Sequence, residues 1–411
     1  MNCKNYTNGF LKPFIKTNSN TDLSYVYEAP IKTLLSLSHL VGKDPSYKNS
    51  LRIYVNGEAR EDLEEQVLKS VPNSFSDLEQ WGKDTFDNQD YLIILNRVEK
   101  WYDPIVKWCG ELFQDSKGII DERLLHLEVT YFIGNTTYTP FGVHIDEISD
   151  ALHLNLGPNK RYMHLWEPDI YRKVRGSLLP LHNPGGHVLE YAKHYQINPN
   201  HWFFLPASKY FHIGENTDFS VSLALALIKY DEDTIIKRSL KESSLSYNEN
   251  TPIDVASLLK CIINEEANSE DGVIPYSKLS KLNNEVEEKV IEYIFRIRSN
   301  LGFKVPTTQG SLEFININKW KNSSFSLVNP FKLIVLEKSE KIHLFARGNM
   351  ISISKNETVL ELIRTINLGK EVETNTLIRL FGDRLSESTL YYLIERLYKC
   401  EVIEVSTFEL Q

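Results

Sequence analysis

His144 and Asp146 stand two residues apart in the run FGVHIDEISDALHLNLGPNKRY, Phe141 to Tyr162. On an extended chain, residues i and i+2 project to one side, roughly 7 Å apart at Cα. An imidazole and a carboxylate so placed can aim at one point and hold a metal ion there. The spacing alone is common: His126 and Glu128 repeat it, and random placement supplies roughly one or two such pairs in a chain of this composition. Context separates the second pair. It precedes an alternating stretch in which Leu152, Leu154 and Leu156 are predicted to line a barrel interior. Another histidine, His212, follows an aromatic strand and a proline turn (HWFFLPASKYFHIG) and precedes the alternating FSVSLALALI. The turn GPNKR should return the chain antiparallel to the strand carrying the acid. Lys160 or Arg161 would then begin the next strand, facing the same cavity.

Two histidines and one carboxylate on one face of an octahedron leave three positions open. That arrangement is diagnostic of non-haem Fe(II) oxygenases. A cation nearby has a use if the co-substrate is a dicarboxylate, because the end remote from the metal needs a charge-assisted partner. The remaining histidines of this region, His126, His153 and His164, read as hydrogen-bonded structural residues. Trp202, Phe203 and Phe204 read as core. Asn155 and Tyr131 are expected to line the pocket, and Asp150 either to meet substrate or simply to lie at its rim.

These residues must be positioned by strands. From Leu124 to Ile228 short apolar runs with turn signals succeed one another, a pattern of barrels and sandwiches. Before it, LRIYVNG and YLIILN read as strands, and Arg97 to Phe113 carries helical periodicity. After it, residues 232–300 turn helical and charged, with Val290, Ile291, Ile294 and Phe295 on one face and Gly302 as a C-terminal stop. The last stretch shows short strands at 332–336, 341–346 and 350–354, then three helices and a strand-like EVIEV, a winged-helix composition. Three domains follow: 1–231, 232–305 and 306–411.

The chain has 411 residues, 42% hydrophobic and 25% charged, with a formal net charge of −9. This is an ordinary globular composition. No apolar run approaches the roughly 18 residues that span a bilayer, and no export signal is read at the N-terminus. Cys3, Cys109, Cys261 and Cys400 are far apart, which points to a reducing cytoplasm and away from a disulfide framework. Negative charge argues against nucleic acid as a partner. The C-terminal part agrees: from Asn329 onward 11 Lys and Arg face 12 Asp and Glu, whereas a DNA reader carries a basic stripe. A protein- or peptide-docking role fits that part better, and it resembles the leader-peptide-binding modules of enzymes that modify ribosomal peptides.

The runs TPFGVHID, LHLNLGPNKRYMHLWEP and WFFLPASKYFHIGEN resemble the JmjC branch of the Fe(II)/2-oxoglutarate-dependent oxygenases. They are most similar to the bacterial cupin-type hydroxylases of ribosomal proteins and more distantly to the asparaginyl hydroxylase of hypoxia signalling. The resemblance covers about Leu124 to Ile228. It implies an α+β chain: a double-stranded β-helix, a helical dimerisation segment and a winged helix. The family's iron ligands fall on His144, Asp146 and His212. Its co-substrate cation falls on Lys160, with Arg161 as the competitor because the ribosomal hydroxylases use arginine. The hydroxyl of its TP turn falls on Thr139, two residues further from the first ligand than in the family. Ser220 or Ser222 would serve the carboxylate at the iron. The implied activity is hydroxylation of an amino-acid side chain in a protein or ribosomally made peptide, using Fe(II), 2-oxoglutarate and O2, in a homodimer. A peptide-tailoring oxygenase is one variant. A metal-free cupin-fold binding protein is the rival from another class. A demethylase is disfavoured, since nothing resembles a methyl-lysine cage.

Overall fold

The computed structural model describes residues 11–18, 22–114, 125–179, 181–182, 184–216, 218–241, 253–269, 272–280, 284–303 and 323–407. The chain forms two compact units, Met1–Ser116 with His126–Lys229, and Lys117–Leu125 with Tyr230–Gln411. Both mix helices with largely antiparallel sheets. The expected boundary at 305/306 lies outside the described residues.

The strands of the first unit are β1 (Phe14–Thr17), β2 (Leu51–Val55), β3 (Glu58–Ala59), β4 (Tyr91–Asn96), β5 (Leu125–Gly134) and β6 (Ser149–Pro158). They continue with β7 (Arg161–Trp166), β8 (Lys193–Ile197), β9 (His201–Leu205), β10 (Phe211–Asn216) and β11 (Ser220–Lys229). Among the described residues they form an eight-stranded sheet, β1-β9-β6-β11-β5-β4-β2-β3, and a three-stranded sheet, β10-β7-β8. Strands β6 and β7 therefore do not make the hairpin expected from GPNKR; the turn is a corner at which the chain changes sheets. Asn155 staples it. Its side-chain amide donates to the carbonyls of Asn159 (3.0 Å) and Ile197 (2.8 Å) and accepts from Gly157 N–H (2.9 Å), so Asn155 holds the corner while lining the small void beside Arg161. A positive φ of 87° falls on Gly157, where no Cβ penalises it.

Successive residues of β4, β9 and β11 are buried on both faces, which explains why these strands alternate less cleanly than a half-exposed strand would. Ala151 and His153 face the cavity described below. Leu152, Leu154 and Leu156 are buried, but side chains alternate along a strand, so they point to the opposite layer. The expected parity of β6 is thus reversed. Tyr131 also faces away, its hydroxyl donating to the Val26 carbonyl (2.8 Å). Trp202, Phe203 and Phe204 are core, and Trp202 stacks on Trp108 (5.9 Å between ring centroids). The helix carrying Trp108 runs Pro104–Gln114. It starts later than the periodicity from Arg97 suggested, because Arg97 has φ +56° and proline fits the first turn of a helix and not its middle.

In the second unit, helices Glu232–Ser239, Val255–Asn268 and Glu285–Ser299 start at Asp231, Asp254 and Asn284. Each of these side chains accepts a free backbone N–H of the first turn. Gly302 (φ +93°) follows the last of them and donates to the Ile297 carbonyl (3.0 Å). Val290, Ile291, Ile294 and Phe295 are fully buried in one core with Ile262, Leu336 and Phe345. The apolar face that suggested a homodimer is therefore covered by the same chain, and gives no reason for a second copy. Strands β12 (Val273–Pro275), β14 (Ile334–Glu337), β15 (Lys341–Ala346) and β16 (Asn349–Ser354) form one sheet; β13 (Ser323–Leu327), β17 (Val372–Glu373) and β18 (Ile403–Thr407) form another. Helices Glu357–Asn367, Thr374–Phe381 and Glu387–Lys399 complete the unit. No described helix is long and apolar enough to cross a membrane.

Candidate metal centre

His144, Asp146 and His212 come together. One ligand atom from each lies within 4.8 Å of the others. His144 Nε2 stands 3.8 Å and His212 Nε2 3.9 Å from the Asp146 carboxylate, and the two rings are 4.4 Å apart between centroids. The backbone enforces this. His144 and His212 form an antiparallel bridge, N–H to carbonyl at 3.1 and 2.8 Å, and Asp146 N–H donates to the Ala207 carbonyl (3.1 Å). No long strand carries the H-x-D pair, contrary to expectation; a two-residue bridge suffices.

The tautomers follow from the partners. His144 Nδ1 faces the Gly142 carbonyl (2.9 Å) and His212 Nδ1 the Tyr210 carbonyl (3.2 Å). A carbonyl only accepts, so each Nδ1 carries the proton and each Nε2 presents a lone pair towards the carboxylate. Metal-ligating histidines are usually oriented in this way. Burial, and then the neighbouring His144, pushes His212 down to about 3, so it is neutral at pH 7, as a ligand must be. Burial raises the Asp146 carboxyl, opposed by His144. The donor set fits a divalent transition ion with open coordination positions.

The triad lines a cavity of about 570 Å³ in the first unit. Arg161 lines it too and is 6% exposed. Its Nε–H donates to Asn216 Oδ1 (2.6 Å), and its guanidinium lies 6.0 Å from the Phe132 ring. No carboxylate pairs with it among the described residues. Burial lowers it to about 10, which leaves it charged at pH 7. Lys160 is placed otherwise. It is exposed, with its ammonium 5.4 Å from the Tyr162 ring, and it does not line the cavity. The strand begins one residue later than the lysine assignment required.

Register explains the separation of Arg161 from the triad. In the β7–β10 pair, Arg161 faces Asn216, Met163 faces Gly214 and Leu165 faces His212. These pairs share one side, so the cation and the ligand His212 stand on one face with Gly214 between them. A Cβ built on Gly214 would lie 3.3 Å from Thr139 Cγ2 and 3.7 Å from the Arg161 guanidinium. The missing side chain keeps that floor open. Thr139 lines the cavity and its N–H donates to the Gly214 carbonyl (3.0 Å). Between the TP turn and His144 the chain reverses at Gly142, whose φ is +71° and whose N–H donates to the Thr139 carbonyl (3.1 Å). Any Cβ at Gly142 would sit 2.7 Å from the Leu181 carbonyl oxygen.

Ser222 lies in a small void beside Arg161 and His153, at the arginine end of the cavity. It therefore does not approach the metal-side carboxylate position assigned to it from sequence. Among the described residues, neither Ser220 nor Ser222 has a hydrogen-bond partner for its buried hydroxyl. His153 lines the cavity, and burial with the nearby Arg161 charge pushes it down to about 3. His164 is structural, held between His194 (2.6 Å) and Glu215 (2.5 Å).

Asp150 is no rim acid. It is buried, accepts from Ser208 Oγ (2.7 Å) and pairs with Lys229. This fixes Ser208, the neighbour of the Ala207 carbonyl that holds Asp146 N–H. Asp150→Ala should cost about 2–3 kcal/mol, less than a fully buried pair because Lys229 stays 31% exposed. A thermal-shift assay should register a drop of roughly 5–10 °C; an unchanged midpoint would show that the pair is dispensable.

A wider hollow of about 840 Å³ in the same unit is lined by Glu61, Asp62, Glu64, Glu65 and Asp84 with Lys48 and Lys69. It has no histidine, and its mixed charges need no ligand to explain them.

No protein-family model matches the sequence, and no curated protein does. Solved structures do. An X-ray structure of E. coli ycfD is similar at a TM-score of 0.50 and 12% identity, over 99% of this chain and 98% of that one. The fold is shared. A structure of YcfD, described as a ribosomal oxygenase from Escherichia coli in complex with cobalt and succinic acid, gives 0.49 and 11% over 99% and 98%. A complex of the same protein with cobalt and 2-oxoglutarate gives 0.41 and 12% over 77% and 78%.

Proposed function

We propose that this chain is an Fe(II)- and 2-oxoglutarate-dependent oxygenase that hydroxylates an amino-acid side chain in a protein or ribosomally made peptide. One observation carries the reading: a His–Asp–His triad and a buried arginine without an acid share one cavity, joined by the bare floor at Gly214. A buried charge left unpaired is costly, so Arg161 implies an anion that none of the described residues supplies. The YcfD complexes with cobalt and succinic acid or 2-oxoglutarate suggest which metal and acid to test first.

In this reading His144, Asp146 and His212 hold iron through two Nε2 atoms and the carboxylate. Iron supplies, with O2 and 2-oxoglutarate, the oxidation of a substrate C–H bond. Arg161 binds the remote carboxylate of 2-oxoglutarate, with the Thr139 hydroxyl as a second donor. Asn216 aims the guanidinium by accepting from Nε–H. Ser222 serves the arginine end. The apolar walls, Phe132, Met163 and Leu205, exclude water and strengthen the charge pairing. The two sheets are the halves of a double-stranded β-helix, and the C-terminal strands and helices are a winged helix that docks the substrate chain.

The test is anaerobic loading with Fe(II) followed by 2-oxoglutarate and O2. Stoichiometric iron and release of succinate are expected. Protein that takes up neither metal nor 2-oxoglutarate would favour a metal-free binding protein. Gly214→Val separates the parts: it fills the floor between Thr139 and Arg161, so 2-oxoglutarate binding should fall at least tenfold while metal uptake persists. Unchanged affinity by calorimetry with Mn(II) would place the co-substrate elsewhere.

A further inference from the structure

With the co-substrate assigned to the β7–β10 side, one further stretch of the cavity wall comes from β2, β4 and β5, beside small and apolar residues of β6, β9 and β11. It offers Arg52, Ile94, Asn96, Thr130 and Phe132. Register makes two rows of it. Arg52 faces Ile94 and Ile94 faces Phe132; Asn96 faces Thr130. Arg52 shares its side of β2 with Tyr54, whose ring meets Phe141 edge-on (5.9 Å), and Phe141 meets His144 in the same way (5.9 Å). The arginine and the metal triad therefore open onto the same space.

Arg52 is exposed and makes no ion pair or hydrogen bond with any described residue. Asn96 Nδ2 is buried and has no acceptor among the described residues. The lining contains one carboxylate among the described residues, Asp146, and the metal claims it. Charge can be balanced group by group. A divalent ion, Asp146, Arg161 and a dianionic co-substrate sum to zero, and Arg52 remains as a single positive charge on the substrate wall.

We infer that the oxidised substrate carries a carboxylate next to the reacting position, bound by Arg52 and reached by the Asn96 amide. This rests on the functional reading above. A planar guanidinium takes a carboxylate through two parallel hydrogen bonds, and one residual charge matches a carboxylate better than a doubly charged phosphate. The carboxylate has two sources, an Asp or Glu side chain or the free C-terminus of a peptide.

The full-length enzyme, loaded with Fe(II) and 2-oxoglutarate, is offered peptides with one flank and Asp, Glu, Asn, Gln, Lys or Arg at the centre, each as the C-terminal acid and amide. Succinate release and mass gain of one oxygen are read. The acidic set should be preferred, and the acid-against-amide comparison identifies the source. Arg52→Ala should raise KM for the preferred peptide about 10- to 150-fold, the range for one charge-assisted hydrogen bond, with no matching change in KM for 2-oxoglutarate. Arg52→Glu should move the preference to Lys or Arg peptides. Equal or better oxidation of neutral or basic peptides by the wild type, failure to oxidise any acidic peptide, or an unmoved KM in Arg52→Ala overturns the inference alone. Wild-type protein that binds neither iron nor 2-oxoglutarate overturns the functional reading and this inference together.

Discussion

His144→Ala and Asp146→Ala proteins should fold and lose both metal and turnover. Each ligand side chain is only half-buried and its packing contribution is small, so the fold does not depend on it. Metal binding does. Dividing the roughly 10–16 kcal/mol of a four-ligand structural zinc site evenly gives about 2.5–4 kcal/mol per ligand. Removing one of three should then weaken the ion about 10²- to 10³-fold, and succinate release should fall to background. Circular dichroism and metal analysis after gel filtration separate the two effects. His212→Ala is the harsher variant, because His212 is 5% exposed and its loss leaves a hole as well as an empty ligand position. Variants of His144 and Asp146 that retain stoichiometric iron and full turnover would move the metal centre elsewhere.

Arg161→Met should abolish tight 2-oxoglutarate binding, whereas Lys160→Ala should leave it within about twofold. Truncating one member of a buried, hydrogen-bonded charge pair costs about 2–5 kcal/mol, or roughly 30- to several-thousandfold in affinity. Lys160 lies in solvent beside Tyr162, where a charge contributes little. The same change has a second readout of opposite sign. Without co-substrate, Arg161 is a buried charge with one neutral partner, Asn216, and replacing such a charge by an apolar side chain of similar length is often neutral or stabilising. The Arg161→Met protein should therefore melt no lower than wild type when 2-oxoglutarate is absent, and should lose the stabilisation that 2-oxoglutarate gives the wild type. A large loss of affinity in Lys160→Ala instead would return the anchor to the lysine.

The sequence alone named the candidate ligands that the structure brings within 4.8 Å of one another, because residue type is decisive there. Few side chains bind a transition ion, and H-x-D ahead of an alternating strand, with a histidine after an aromatic strand and a proline turn, singled out His144, Asp146 and His212 as candidates, which the family resemblance completed. It also determined most strands, since period-2 alternation is a local property. It left the cation open between Lys160 and Arg161, because parity is lost across a corner: β7 begins one residue later than the lysine needs, in a different sheet from β6. The same blindness reversed β6, where both faces are buried and the leucines were as apolar as any lining residue.

Gly214 was legible in principle. It stands two residues after His212 on one strand, and a glycine there must leave the shared face open. Arg52, Asn96 and His153 carried no local signal, for a strand arginine is most often just solvated. The dimer face of Val290, Ile291, Ile294 and Phe295 was read correctly as apolar and wrongly as uncovered, since the partners that bury it, such as Leu336 and Phe345, lie far along the chain. Local pattern says what a side chain can do. Only the tertiary structure decides which charges it leaves without a partner; among the described residues that line the cavity those are Arg161 at its floor and Arg52 at its wall, held there by pairings between strands remote in sequence.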